Sequence, residues 1–183
     1  MMYKIIDNFL DPEDFKAIQQ EVKEHDMELI SHGSDVAYKL DTGDIYKSTK
    51  KYWSNKSEGR KFNTFFEYMI AEELPTKEFS LMVHHYMPGA EISWHKDYSS
   101  LGSYSFYLHD KWRSEWGGQL LVTDAEDRHF NNGNVFEHRQ DIMDPGTGVY
   151  IEPKPNRLVL IYDCFHKVNR VSHSRTSFTG FFK

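Results

Sequence analysis

From Phe79 onward the side chains alternate in character with period two, and this limits the possible folds more than any other feature. Strand side chains leave opposite faces in turn, so parity assigns each residue to a face. Phe79, Leu81 and Val83 share one parity, while Ser80, Met82, His84 and Tyr86 share the other. Tyr104, Phe106 and Leu108 likewise oppose Ser103, Ser105, Tyr107 and His109. Near the C-terminus Arg175, Ser177 and Thr179 oppose Thr176, Phe178 and Phe182. Each strand therefore has an apolar face and a mixed polar one. A sheet with helices over its apolar outside and a polar-lined cavity inside produces this pattern, which predicts a mainly β, double-sheet jelly roll with flanking helices. The segment Arg157 to Tyr162 is apolar on both parities and should be covered on both faces. Pro88-Gly89, Gly117-Gly118, Asn132-Gly133 and Asp144-Pro145-Gly146 mark turns between strands.

The earlier part of the chain supplies the helices. Tyr3 to Phe9 reads as a strand, and a helix start follows, with Asp11 at the N-cap and Pro12 at the first helical position. Leu10 and Phe15 are placed as a hydrophobic staple, and Phe15, Ile18 and Val22 continue one stripe. A second helix carries Phe62, Phe65, Phe66, Met69 and Ile70 and ends at Leu74-Pro75. Residues 30–61 read as loops plus a basic, aromatic stretch from Lys47 to Lys61, either a lid or a solvated face. The polar segment 124–148 reads as a hairpin with a surface loop that borders the cavity. One domain over 1–183 is expected, with a helical buttress at about 11–75 and a β core at about 79–183.

Composition narrows the function classes. A net charge of −6 argues against a general nucleic-acid binder. No apolar run approaches the ~18 residues of a membrane span. The residues from Met1 to Asp7 lack the apolar core of a signal peptide. Cys164 is the only cysteine, so no intrachain disulfide forms, and a reducing, cytoplasmic setting is expected.

Chemistry concentrates at Trp94-His95-Lys96-Asp97. On a strand, His95 and Asp97 leave the same face and make two-thirds of a 2-His-1-carboxylate triad, which holds Fe(II) and leaves positions open. The third ligand should be an inward histidine on a later strand, and His166 is the strongest candidate. His84 and His85 are adjacent and point to opposite faces. His129 and His138 lie in the polar segment, His173 in the turn before the last strand, and His25 and His32 outside the sheet. A lone histidine is more often a surface or satisfied core residue, so the case rests on the set. An iron so held needs an external electron source, and 2-oxoglutarate can chelate it while its far carboxylate takes an anchor. Arg175 suits that anchor because its planar fork pairs bidentately with a carboxylate. Tyr107 adds a hydroxyl on the inward parity, Tyr86 is placed near the mouth, and Thr179 shares the parity of Arg175. Cys164 is either a further ligand or a small buried hydrophobe.

These residues, taken in order, carry a resemblance. Tyr86-Met87-Pro88-Gly89 precedes His95-Lys96-Asp97, and Tyr107-Leu108-His109 leads through Trp112 to Trp116-Gly117-Gly118-Gln119-Leu120. Ile151-Glu152-Pro153-Lys154-Pro155-Asn156-Arg157-Leu158 leads to His166 and then to Arg175-Thr176-Ser177-Phe178-Thr179-Gly180. The chain resembles the Fe(II)/2-oxoglutarate-dependent dioxygenases, in particular the prolyl 4-hydroxylase and Egl-nine-like branch with its short bacterial and phage relatives. The resemblance covers about residues 79–183. It implies a cupin-like double-stranded β-helix with His95, Asp97 and His166 as metal ligands. It also implies that Arg175, with Tyr107, Tyr86 and Thr179, contacts 2-oxoglutarate. His109 stands where relatives usually have Asn, Lys167 where Glu is common, and Phe181 in place of Trp.

What the resemblance implies is a dioxygenase that uses Fe(II), 2-oxoglutarate and O2, with ascorbate as an optional reductant, and hydroxylates a C–H bond with release of succinate and CO2. The substrate it suggests is a prolyl residue of a peptide or protein, with a free amino acid or other small molecule as the alternative. A non-catalytic jelly-roll binding module is the reading from another class. Oligomeric state is not legible.

Overall fold

The structure is a computed structural model, and it describes residues 2–23, 27–29, 44–48, 52–53, 64–97, 100–123 and 147–183. The first strand, β1 (Tyr3–Asp7), leads into helix α1 (Pro12–Val22). Asp11 is extended ahead of Pro12 but makes no side-chain cap bond, so the helix starts on the proline's fixed φ and on the Phe15 N–H donating to Asp11 O at 2.9 Å. Three short strands follow, β2 (Met27–Leu29), β3 (Ile45–Ser48) and β4 (Tyr52–Trp53), before helix α2 (Thr64–Glu73). These three strands add paired structure to a region expected as loops plus a basic, aromatic stretch. They are too short for a period-two signal, and it is pairing with a longer strand that orders them.

The remaining strands are β5 (Ser80–Tyr86), β6 (Ile92–His95), β7 (Gly102–Tyr107), β8 (Leu120–Thr123), β9 (Gly148–Ile151), β10 (Arg157–Tyr162), β11 (Phe165–Val168) and β12 (Arg175–Phe182). Among the described residues they form two antiparallel sheets. The larger runs β1-β10-β7-β12-β5-β3-β2, with β4 also on β5, and the smaller runs β6-β11-β8-β9. From β5 to β12 the chain passes back and forth between the two sheets, with only β8 and β9 following each other in one sheet, as in a jelly roll.

The two faces of the larger sheet follow parity. Its outer face packs Leu81, Val83, Tyr104, Phe106, Leu158, Leu160, Phe178 and Phe182 against Ile18 and Val22 of α1 and Phe66 and Ile70 of α2. Phe66 lies 4.7 Å from Phe178 and 5.0 Å from Phe106 between ring centroids, so the aromatic payload of α2 locks onto the two central strands. The inner face joins a second cluster in which Tyr86, Tyr107, Val159 and Ile161 meet Leu120, Val122 and Val168 of the smaller sheet. The strand β10 is buried from Arg157 to Ile161, as its doubly apolar pattern requires, and Tyr162 at its end is half-buried. The segment 124–146 and most of the basic stretch from Lys47 to Lys61 lie outside the described residues.

Candidate active site

His95 and His166 are Cα partners across the β6–β11 ladder, and their ring centroids are 4.2 Å apart. The register shifts between this pair and the Val168–Ile92 pair, with one extra residue in β6. Strict alternation would send Ile92 and His95 to opposite faces, whereas a bulge re-aims one side chain. Asp97 lies just past the end of β6, so the expected strand over 94–97 is shorter than its motif. Its carboxylate still reaches both rings, with Oδ1 3.9 Å from His95 Nε2 and Oδ2 3.5 Å from His166 Nε2. One ligand atom from each residue lies within 4.8 Å of the others. Their side chains are 14%, 15% and 8% exposed.

The tautomer of His166 is fixed. Its Nδ1–H donates to the Cys164 carbonyl at 3.1 Å, which leaves the Nε2 lone pair facing Asp97. The His166 Nε2 lone pair, the His95 ring and the Asp97 carboxylate thus converge on one point. Such a set repels itself unless a cation sits among the donors. Cis positions around an octahedral ion at ~2.1 Å are roughly 3 Å apart, so small side-chain movements close the observed set on a metal.

Arg175 makes a second feature of the inner face. It is 2% exposed, and Nη1–H donates to Gly118 O at 2.6 Å. The ring of Tyr86 lies 4.2 Å from the guanidinium and that of Tyr107 at 5.4 Å. Tyr86 is therefore buried against the arginine and not at the mouth, a correction to its expected place. Arg175 Nε has no partner, and no carboxylate among the described residues pairs with the group. A buried guanidinium without a counter-ion is costly, so the arrangement favours an incoming anion. Burial pushes the Tyr107 hydroxyl above its ordinary pKa, which keeps it a proton donor at neutral pH. Gly118 lets backbone approach this closely, since a Cβ there would sit 2.8 Å from Val171 Cγ1 and 3.5 Å from Arg175 Cδ.

Other histidines and candidates are placed elsewhere. Thr179 shares the inner face but lies four residues, or roughly 13 Å of strand, from Arg175. Ser177, fully buried and register-paired with Tyr107, stands between them and is the hydroxyl nearer the arginine along the strand. Parity gave both residues the same face, and only spacing from Arg175 separates them. His84 and His85 do take opposite faces. His85 bonds Thr176 Oγ1 at 2.7 Å in a groove beneath α1, and burial lowers its pKa. His109 is a backbone anchor, its Nε2–H donating to Pro153 O at 2.5 Å, with its pKa lowered to about 4 chiefly by burial. His173 stacks on Trp116 at the surface. Cys164 Sγ donates to Met2 O at 3.6 Å, and burial raises the thiol to about 11. It behaves as a buried thiol, and its backbone carbonyl is what meets His166. His25, His32, His129 and His138 lie outside the described residues.

A sequence comparison with curated proteins found no significant match. Solved structures with a similar fold include a Pseudomonas putida prolyl-4-hydroxylase, at 17% identity and TM-score 0.66, covering 99% of this chain and 92% of that one. A 2OG-Fe(II) oxygenase family oxidoreductase from Burkholderia pseudomallei is 13% identical with TM-score 0.66, covering 98% and 84%. A Trichoplax adhaerens prolyl hydroxylase, in complex with a hypoxia inducible factor oxygen degradation domain peptide fragment, is 16% identical with TM-score 0.66, covering 98% and 82%. The family model of the 2OG-Fe(II) oxygenase superfamily matches residues 81–183, which span every strand from the second residue of β5 to the C-terminus. The chain belongs to the 2OG-Fe(II) oxygenase superfamily.

Proposed function

We propose that the protein hydroxylates a C–H bond of a prolyl residue in a peptide or protein, with His95, Asp97 and His166 holding Fe(II) and Arg175 anchoring 2-oxoglutarate. The observation that carries the reading is the meeting of two imidazoles and a carboxylate in one half-buried spot, with one ligand atom from each within 4.8 Å of the others. Iron bound there with 2-oxoglutarate supplies the reduction of O2 that turns C–H into C–OH as 2-oxoglutarate becomes succinate and CO2.

The chain's own residues bind, orient and exclude water. Arg175 offers a fork to the far carboxylate, and Tyr107 donates its hydroxyl to the same group. Tyr86 covers one face of the guanidinium, so the charge is directed at the co-substrate. The Cys164 carbonyl holds His166 with Nε2 inward. Leu120, Val122, Val159 and Val168 supply the dry wall between the sheets. On this reading residues 1–183 act as one catalytic domain, and ascorbate serves as a reductant for idle enzyme.

Support for a prolyl substrate comes from the two structural relatives named as prolyl hydroxylases, one of them holding a peptide. Anaerobic addition of Fe(II) and 2-oxoglutarate to the folded apoprotein should give a visible metal-to-ligand charge-transfer band. No band from a folded sample sinks the metal assignment. A proline-containing peptide panel, incubated with all cosubstrates and read for a single-oxygen mass gain, tests the substrate. Modification of free amino acids and of no peptide would replace the peptide reading with a small-molecule one.

A further inference from the structure

Lys96 stands between the two residues of the His-x-Asp motif, just past the end of β6. Its side chain is only 14% exposed, and the ammonium lies 3.1 Å from Asp163 Oδ1. It also sits 6.0 Å from the ring centroid of Phe165. Asp163 occupies the turn between β10 and β11 with φ at +33, a backbone region that side-chain-bearing residues seldom adopt. The next residue is Cys164, whose carbonyl receives the His166 Nδ1–H at 3.1 Å. Asp97, Asp163, Cys164 and His166 also line one small cavity, so turn and ligands share a space.

We infer that Lys96 is a positioning residue: by pairing with Asp163 it ties the strand that carries His95 to the turn that sets the ring and tautomer of His166. The pair spans the two strands that supply the metal-binding residues. Without the ammonium, the unusual backbone at Asp163 loses the contact that holds it against β6. The Cys164 carbonyl then has freedom to turn, and His166 can shift its proton between Nδ1 and Nε2. A protonated Nε2 cannot bind a metal. The inference rests on the reading of His95, Asp97 and His166 as metal ligands.

The test uses Co(II), whose visible d–d bands report ligation without turnover. Wild type, Lys96→Met, Lys96→Arg, Asp163→Asn and the Lys96→Met/Asp163→Asn double variant are titrated. Loss of an outer partner of a ligating histidine typically weakens metal affinity by 10–100-fold, and a partly exposed ion pair contributes toward the low end. Dissociation constants for Co(II) should rise about three- to tenfold in Lys96→Met and in Asp163→Asn. The double variant should be no weaker than either single one, and Lys96→Arg should stay near wild type. In metal-free protein, 15N shifts should show His166 protonated at Nδ1 in wild type and as a tautomer mixture in Lys96→Met.

Wild-type affinity and an unmixed tautomer in Lys96→Met would overturn the inference, as would fully additive losses in the double variant. If Lys96→Met fails to fold, the exposed Asp163→Asn carries the test with the same two readouts, and wild-type values there overturn it. A wild-type protein that binds no Co(II) removes the metal reading instead. The tautomer comparison then decides the Lys96 inference alone.

Discussion

His95 and His166 face each other as Cα partners on adjacent antiparallel strands, with the Asp97 carboxylate 3.5 Å from the ring nitrogen of His166. The proposed metal site is thus built on a sheet ladder, where cross-strand pairing fixes the distance between the two candidate histidines, and only Asp97 depends on backbone beyond the strand. Sites held by paired strands keep their geometry better than sites on loops.

Removing a ligand should separate chemistry from folding. His95→Ala and Asp97→Ala each should lower succinate formation from 2-oxoglutarate on the order of 100-fold or more. The metal-free protein should keep its urea midpoint or gain slightly, because mutually repelling acceptors are thinned out. Assays of succinate and of urea unfolding in chelator check both halves, and near-normal turnover would place the iron elsewhere.

Arg175→Lys replaces a flat fork between two tyrosine rings by a point charge. The half-saturation for 2-oxoglutarate should rise by ~10- to 100-fold, or about 1–3 kcal/mol, with less effect on Fe(II) affinity. Arg175→Met should stabilise the co-substrate-free protein, since a buried charge with no carboxylate partner among the described residues is removed. An unchanged half-saturation in the lysine variant shows that another group anchors the dicarboxylate.

His109 makes stability depend on pH in a defined direction. Its folded pKa of about 4 lies below the ordinary 6.5, with burial as the main cause. Between these values the unfolded chain binds a proton that the folded one does not, so stability rises with pH across that window. Acidification from above 6.5 to about 4 should cost on the order of 2–3 kcal/mol from this residue, and the half-buried His85 adds loss of the same sign. Urea unfolding at several pH values should show a shallower slope in His109→Asn.

Gly180 should not tolerate a methyl group. A Cβ built there would lie 1.8 Å from Ser80 O and 2.6 Å from the Tyr104 ring, both of them held in place by the Tyr104 hydroxyl bond to Ser80 O at 2.8 Å. Since backbone carbonyl cannot yield as a flexible side chain does, Gly180→Ala should destabilise by about 1–3 kcal/mol. Equilibrium unfolding measures it, and a change below a few tenths would mean that β5 and β12 slide apart readily.

Much of the architecture is legible from single residues. Parity alone assigns Tyr86, Tyr107 and Arg175 to the inner face and Phe106 and Phe178 to the outer one, because strand side chains alternate without exception over an unbroken ladder. The helix start at Pro12 is equally local, since φ of proline is fixed covalently. Where alternation breaks, the sequence is silent. The extra residue in β6 that brings Ile92 and His95 to one side exists only because β11 pairs with both ends of that strand. The strands β2 to β4 form for the same reason, as partners of a neighbour and not through any periodicity of their own.

Residue types and their order thus determined the family, the faces and the identity of the acceptors and the guanidinium, all of which depend on covalent chemistry and period. Tertiary structure decided which of them meet. It brought Asp97 to both imidazoles, turned His109 onto a carbonyl, and joined Lys96 to Asp163. Each of these contacts links residues whose separation is fixed by ladder register and turn geometry, quantities that emerge only when distant segments of the chain pack together.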